Sequence, residues 1–242
     1  FGKGRLTSKK SRCDHRMQRY FIPKDQMKEN KLIIQGDDYY HISKVLRMNI
    51  GNKVYCVVED QGVAIATIED ITNEQIFTSV IEWVNEEKEL PVHVSIVSGL
   101  PKGDKLEYIV QKGTELGAYS FIPFIADRSI VKWDAKKASK KIERLQKIAK
   151  EAAEQSHRTI VPTVETPVNI RQLVDLAKQY DVLLIAYEEE AKQNEKSVLS
   201  RTLQNIEVGS SVLVVFGPEG GLTTSEVDTL INAGFVACGL GP

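Results

Sequence analysis

The sequence predicts an α/β protein in two parts. A compact β-barrel spans residues 17–86, and a larger α/β domain with a mostly parallel sheet spans residues 90–242. Three observations carry this. The first part is a series of short β-branched runs punctuated by Gly51, Gly62 and Asn73. After Pro91, strand-like runs alternate with amphipathic helical stretches. Between them lies "NEEKELP", charged and closed by proline, which suits a linker.

In the first part, "KLIIQG", "NKVYCVVED", "GVAIATIED" and "IFTSVIEWV" read as strands, with Trp83 in the core. "DDYYHISKVLRM" is the one helical insert, on which Tyr40, Ile42, Val45, Leu46 and Met48 can share a face. In the second part "VHVSIVSGL" reads as a buried strand. "GDKLEYIVQKGTELG" is a helix with Leu106, Ile109, Val110, Gly113 and Leu116 on one face and Gly117 as its stop. "YSFIPFIA", "DVLLIAY", "SVLVVF" and "FVACGLGP" are further strands. "KKASKKIERLQKIAKEAAEQ" is a long helix burying Ile142, Leu145, Ile148 and Ala152, and "NIRQLVDLAKQY" is another helix. "TTSEVDTLINAG" carries its own start and stop, with Thr223 and Glu226 as a capping box and Gly234 after the last turn.

Composition narrows the function classes. Net charge is −1, so the whole molecule is not an evident polyanion binder. The first 16 residues hold six Lys or Arg against one Asp, +5, leaving 26 basic and 32 acidic residues, −6, in the rest. This segment reads as an extension upstream of a natural start at Met17, with a disordered basic arm touching RNA as the rival reading. Cys13, Cys56 and Cys238 lie far apart without a CxxC pair. That argues against a disulfide framework or a metal site and fits the cytoplasm. No apolar run approaches the roughly 20 residues of a membrane span, and no secretory signal is evident.

The stretch that points to chemistry is "SVLVVFGPEGGLTTSEV", residues 211–227, where an apolar strand ends in three glycines and a helix starts at once. In open α/β sheets ligands sit beyond the carboxyl ends of the strands. Glycines there let backbone approach a ligand and adopt positive φ. Two other strand ends carry unusual loops, "AYEEE" after Tyr187 and "GLGP" after Cys238. The turn has neither G-x-G-x-x-G nor G-x-x-x-x-G-K-[ST]. Pro218 removes one N–H and Glu219 repels phosphate, so a ligand with a cationic or neutral group and an adenine edge fits better than a pyrophosphate. A tight strand-to-helix turn without a ligand is the rival reading.

"FGPEGGLTTSEV" followed by "CGLGP" resembles the SPOUT methyltransferases, specifically the RsmE type. "MQRYFI", "HISKVLRMNIGNKV", "SGLPKGDKLEYIVQKGTELG", "FIPFIADRS" and "EAAEQSHR" fall in the order that family uses, covering residues 17–242. The resemblance implies a PUA-like RNA-binding barrel, a SPOUT domain with a C-terminal trefoil knot, and S-adenosylmethionine as cofactor. It implies methyl transfer to N3 of a uridine in 16S ribosomal RNA, within the assembled small subunit, by a homodimer joined through the knot. Carried over, the cofactor contacts are Ala186, Glu188, Phe216, Gly217, Pro218, Glu219, Gly220, Leu240, Gly241 and Pro242. The family continues past "GLGP" with an arginine-rich turn and a closing helix, so a catalytic arginine is expected beyond Pro242.

Uracil N3 carries a proton on its pairing edge, so the base has to be unpaired, and a cation near O2 or O4 stabilises the anion left when the proton departs. Within the matching motifs Arg128, Arg158 and Glu219 are the catalytic candidates, Glu219 as a residue that shapes the loop, orients the substrate or acts as general base. Lys112, Glu115 and Gln155 are substrate candidates, with a solvated helix face as the rival for the first two and a helix cap as the rival for Gln155 and Arg158. For RNA, Arg19, His41, Lys44 and Arg47 are candidates, the last three spaced three apart as a basic helical stripe toward phosphates. His93 and His157 read as structural. A SPOUT enzyme acting on tRNA and a non-catalytic RNA-binding module are the alternatives; a nucleotide-dependent oxidoreductase is disfavoured by the missing fingerprint.

Overall fold

The computed structural model describes residues 17–86, 88–131, 133–187 and 196–239. The chain divides after Glu86 into two compact units.

The first unit is a six-stranded sheet in the order β1-β4-β5-β6-β3-β2. Its strands are β1 Arg19–Ile22, β2 Met27–Lys28, β3 Lys31–Gln35, β4 Lys53–Val58, β5 Gly62–Ile71 and β6 Gln75–Val84. Only β1 and β4 run parallel; the other pairs are antiparallel. Register breaks at Ile65/Ala66 and Ile68/Asp70 let the long β5–β6 pair bend. The sheet curls until β1 lies near β3. Among the described residues the ends do not join through hydrogen bonds, so the expected barrel is a curled half-barrel. Its concave face buries Tyr20, Leu32, Ile34, Val54, Cys56, Ile68 and Ile76.

Ile42 plugs this core from the helical insert, which is α1 Gly36–Tyr40 continued by one π-helical turn over His41–Val45. The expected shared apolar face does not form there. Tyr40 and Val45 are exposed, because the wider turn rotates them away from Ile42. Trp83, expected in the core, is 42% exposed on β6.

The second unit is a wholly parallel sheet in the order β12-β10-β11-β7-β8-β9. Its strands are β7 His93–Gly99, β8 Ser120–Phe124, β9 Thr163–Val164, β10 Val182–Ala186, β11 Ser211–Phe216 and β12 Val236–Cys238. The helices are α2 Lys105–Glu115, α3 Ala135–Gln155, α4 Ile170–Ala177, α5 Lys196–Gln204 and α6 Thr224–Asn232. Apolar residues of α2 and α3, among them Leu106, Val110, Leu145 and Ala149, pack with Phe121 and Val164 on one face. On the other, Leu173 and Leu230 pack against Val97, Ile122, Ile185 and Leu213. Parallel strands covered on both faces read as continuous apolar runs, which is why these were legible. β9 and α5, which lack such runs, were not anticipated. Leu116, assigned to the buried face of α2, is 78% exposed because it caps the helix rather than continuing it.

Arg158 follows α3 and is buried, with its guanidinium donating to Ala118 O at 2.5 Å and Thr114 O at 3.3 Å. Its ion-pair partner is Glu89. The other Glu89 oxygen accepts from the Thr159 N–H (2.8 Å) and the Ile160 N–H (3.1 Å). Burial alone would raise the Glu89 carboxyl, but the Arg158 and Thr159 hydrogen bonds outweigh it and hold it below its ordinary 4.5. A depressed native value means stabilisation that is complete above the unfolded carboxylate range and lost as pH falls through the native value. Glu89→Gln is therefore expected to lower unfolding free energy at pH 7 by about 2 kcal/mol, since it strands a buried guanidinium. It should also flatten the loss of stability below about pH 4.5. Urea unfolding across pH checks both; an unchanged midpoint at pH 7 contradicts the role.

Candidate active site

Three neighbouring strands deliver the site. β10 lies between β12 and β11, and the register pairs Ala186 with both Phe216 and Cys238. The Tyr187 N–H donates to Cys238 O at 3.1 Å, carrying the alignment one residue further. The three strand ends singled out by their loops therefore share one edge of the sheet. Glu188, Leu240, Gly241 and Pro242 lie outside the described residues.

The glycine turn leaves β11 at Phe216. The Gly221 N–H donates to Pro218 O at 2.8 Å, closing a four-residue turn, and Gly221 takes φ +71°, a region that favours glycine. Of the turn's three glycines only this one needs positive φ. Gly217 is needed for space, because a Cβ there would stand 3.0 Å from Gly221 C and Leu222 N. The strongest constraint comes from the neighbouring strand. A Cβ on Gly99, at the end of β7, would stand 2.4 Å from Pro218 N and 2.5 Å from its Cδ.

Side chains fix the turn from both flanks. Glu219 Oε1 accepts from Lys105 Nζ at 2.8 Å and the Lys102 N–H at 3.2 Å. Lys105, with the backbone N–H groups of the turn and of Lys102, holds the Glu219 carboxyl down at about 2. Glu219 thus bridges the turn and the loop after β7, in line with the loop-shaping role among those expected of it, and a carboxylate held so low is a weak base at neutral pH. Arg128 Nη1 donates to Gly220 O at 3.0 Å and Leu222 O at 3.3 Å. Behind the turn the Thr223/Glu226 capping box forms, and buried Glu226 also accepts the Asp127 N–H at 2.8 Å.

Beside the turn lies a cavity of about 450 Å³, bordered by Gly99, Lys105, Ile109, Phe216, Gly217 and Glu219 among others. That is the size of small-molecule sites, and the lining is mainly apolar with few polar groups. Among the described residues neither the Gly217 nor the Gly220 N–H has a hydrogen-bond acceptor. Two available amide donors at a strand end, next to an apolar cavity, fit a nucleoside-like ligand with hydrogen-bonding edges.

The other expected residues fall elsewhere. Lys112 and Glu115 pair with each other at 2.8 Å in the last turn of α2, and Gln155 ends α3. They stand with Arg158 at the sheet edge opposite the glycine turn; α2 alone rises about 15 Å from Lys105 to Glu115. Arg158 is thus a structural guanidinium in this fold. Arg19 is 2% exposed, paired with Glu86 and placed 5.1 Å from the Tyr55 ring centroid, so it offers no surface cation. The predicted basic stripe is broken. His41 Nδ1 hydrogen-bonds the Tyr20 hydroxyl at 3.1 Å, and exposed Arg47 lies past the helical turn at φ +53°. Lys44 remains exposed. His93, exposed, stacks on Tyr119 at 4.4 Å. Sequence reasoning missed Gly99, Lys105 and Glu226 as parts of the site, although the first two sit in "SGLPKGDK".

A parallel α/β sheet with adjoining strand-end loops and available amides defines a ligand-binding domain of nucleoside type. Comparison makes this specific. Residues 88–242 match the RNA methyltransferase domain family, and residues 34–81 match the RNA methyltransferase PUA domain. Ribosomal RNA small subunit methyltransferase E of Bacillus subtilis (strain 168) is 51% identical over 229 residues, 93% of this chain and 90% of that protein. The protein of the same name from Synechocystis is 29% identical, over 92% of this chain and 71% of its own length. The Neisseria gonorrhoeae ribosomal RNA small subunit methyltransferase E bound to S-adenosyl methionine superposes with a TM-score of 0.77. That likeness is at 26% identity, across 93% of this chain and 90% of that one. This chain belongs to the ribosomal RNA small subunit methyltransferase E family.

Gly99→Ala is expected to force the turn off β7. Stability should fall by about 1–3 kcal/mol, as for other overpacked sites. The ligand-induced rise in melting temperature with S-adenosylmethionine should vanish. Thermal shift with and without ligand reads both; an intact shift refutes the contact's importance.

Proposed function

We propose that this chain transfers a methyl group from S-adenosylmethionine to N3 of a uridine in small-subunit ribosomal RNA. The observation that carries this reading is the shared edge of β10, β11 and β12, with the glycine turn pinned beside an apolar cavity. Kinship with proteins named ribosomal RNA small subunit methyltransferase E supports the substrate. A relative solved with S-adenosyl methionine supports the cofactor. Phe216, Gly217, Pro218 and Gly220 are the described residues placed to hold the donor, with Ala186 on the adjoining strand.

Bound there, S-adenosylmethionine supplies an electrophilic methyl group. The chain's own residues have to exclude water and set the acceptor nitrogen in line, so positioning supplies most of the rate. Pro101 and Ile109, which border the cavity from outside the turn, give an apolar wall against which an unpaired base can lie. Lys105 is the cation on the cavity wall. Its ammonium, paired with Glu219 at 2.8 Å, is the group placed to stabilise the imide anion formed when the N3 proton departs to solvent water. Arg128 keeps the turn in position through Gly220 and Leu222. Lys44 and Arg47 are exposed cations of the PUA-like unit available to RNA phosphates. The same reading includes a trefoil knot through the last strands, a homodimer, and action in the cytoplasm on the assembling or assembled small subunit. A chain that passes from β10 inward to β11 and back out to β12 supports the first of these.

Calorimetry with S-adenosylmethionine, followed by transfer of a labelled methyl group to 16S rRNA or small subunits, tests the function. Saturable binding and label on a uridine are expected; neither heat nor label would refute it. Lys105→Met should lower kcat by about 10- to 100-fold, comparable to loss of one charge-stabilising group, and, because Lys105 also pins Glu219 of the turn, should weaken S-adenosylmethionine binding as well. An unaltered kcat removes Lys105 from the chemistry.

A further inference from the structure

The N-terminal half of α3 is charged against its own stability. Residues 135–144 hold five Lys or Arg and one Glu, and the first turn has no acidic side chain. Cations there oppose the helix dipole, and Lys136/Lys140 and Lys137/Lys141 are like-charged pairs one turn apart. The far half differs: Lys150 pairs with Glu154 at 3.6 Å, and Glu151 adds another acid.

The basic half is also the half at the site. β8 ends at the glycine-turn edge, and the segment from there to α3 carries Arg128, which holds Gly220. A second cavity of about 190 Å³ is bordered by Pro101, Gly103, Trp133, Lys141 and Arg144. It joins the start of α3 to the loop whose Lys102 N–H and adjoining Lys105 hold Glu219. Lys141 lies 5.5 Å over the Trp133 ring and Arg144 pairs with Glu107 at 2.8 Å, so these two cations have local roles. Lys136, Lys137 and Lys140 are exposed, and among the described residues only a weak surface pair, Lys137 to Asp134 at 3.5 Å, engages their side chains.

We propose that Lys136, Lys137 and Lys140 form a track for the phosphate backbone of the substrate RNA on the methyltransferase domain itself, flanking the glycine turn. The inference rests on the reading of the chain as an RNA methyltransferase. Three ammonium groups with no large apolar or aromatic side chain between them, only Ala138 and Ser139, suit phosphates, which need charge and no anchor. A protein partner would need a buried apolar or aromatic centre, and the apolar side of α3 faces the core through Leu145, Ala149 and Ala152. The track adds contacts close to the reacting base, so it orients the RNA over the cavity as well as holding it.

The test is the triple variant Lys136→Gln, Lys137→Gln, Lys140→Gln, measured against a 16S rRNA transcript over a salt series. Each phosphate contact contributes about 0.7–0.9 to the slope of log K on log salt, so the variant's slope should be shallower by about 2–3. Raising salt fourfold should then weaken the parent protein about 20- to 40-fold more than the variant. KM for RNA should rise while kcat at saturating RNA and affinity for S-adenosylmethionine hold. The melting temperature should not fall, because removing like charges relieves the helix start. Lys178→Gln, an exposed lysine just past the end of α4, serves as the control and should leave the slope near the parent's. A triple-variant slope within about 0.5 of the parent's overturns the proposal, as does a loss confined to binding of polyglutamate. Methyl transfer by the parent reads the underlying function separately: its failure indicts that reading, while the binding slope still decides the track.

Discussion

Residue 99 has no side chain, and the position of the glycine turn depends on it. Pro218 occupies the space a Cβ would take, so the end of β7 and the turn after β11 touch backbone to backbone. From that contact follows the rest of the site's geometry. The loop after β7 comes close enough for Lys102 and Lys105 to reach Glu219. The turn's far side meets Arg128, and the helix that follows is capped by Thr223 and Glu226. A turn held on every flank can keep amide donors pointed outward without collapsing onto them, which is what a preorganised ligand site requires.

Charge is partitioned along the second unit. The edge away from the glycine turn holds a buried ion pair that serves the fold, Arg158 with Glu89, and an exposed one, Lys112 with Glu115. At the turn edge, Glu219 and Arg128 are committed to the loop, Glu219 through Lys105, which also borders the cavity, and the α3 lysines face solvent. The near-neutral total thus includes exposed lysines clustered on the first half of α3. This reconciles a net charge of −1 with a polyanionic substrate.

Much of the fold was legible because parallel strands covered on both faces are continuous apolar runs and α6 carries its own capping signals. β9 was not, since it is two residues long, and α5 was not, since its apolar residues Val198, Leu199 and Leu203 stand in a short, otherwise polar stretch. The glycine turn was legible as a site from its composition. Its fixings were not, because Gly99, Lys105 and Arg128 meet it across about 90–120 positions of sequence, and no local pattern encodes such a meeting. Arg158, Lys112 and Gln155 were misplaced for a related reason: a helix of known length has two ends, and spacing alone does not say which faces the ligand. The basic stripe failed at Arg47 because the insert turns through a π-helical turn and a left-handed residue rather than a regular helix.

The central claim is that backbone amides at the adjoining ends of β10, β11 and β12 receive the methyl donor. Amide chemical-shift mapping during titration with S-adenosylmethionine tests it directly. The largest shifts should fall on residues 216–222 and at the ends of β10 and β12, with Lys105 close behind. Shifts concentrated at the opposite edge, around Glu115 and Arg158, or none at saturating ligand, would contradict it.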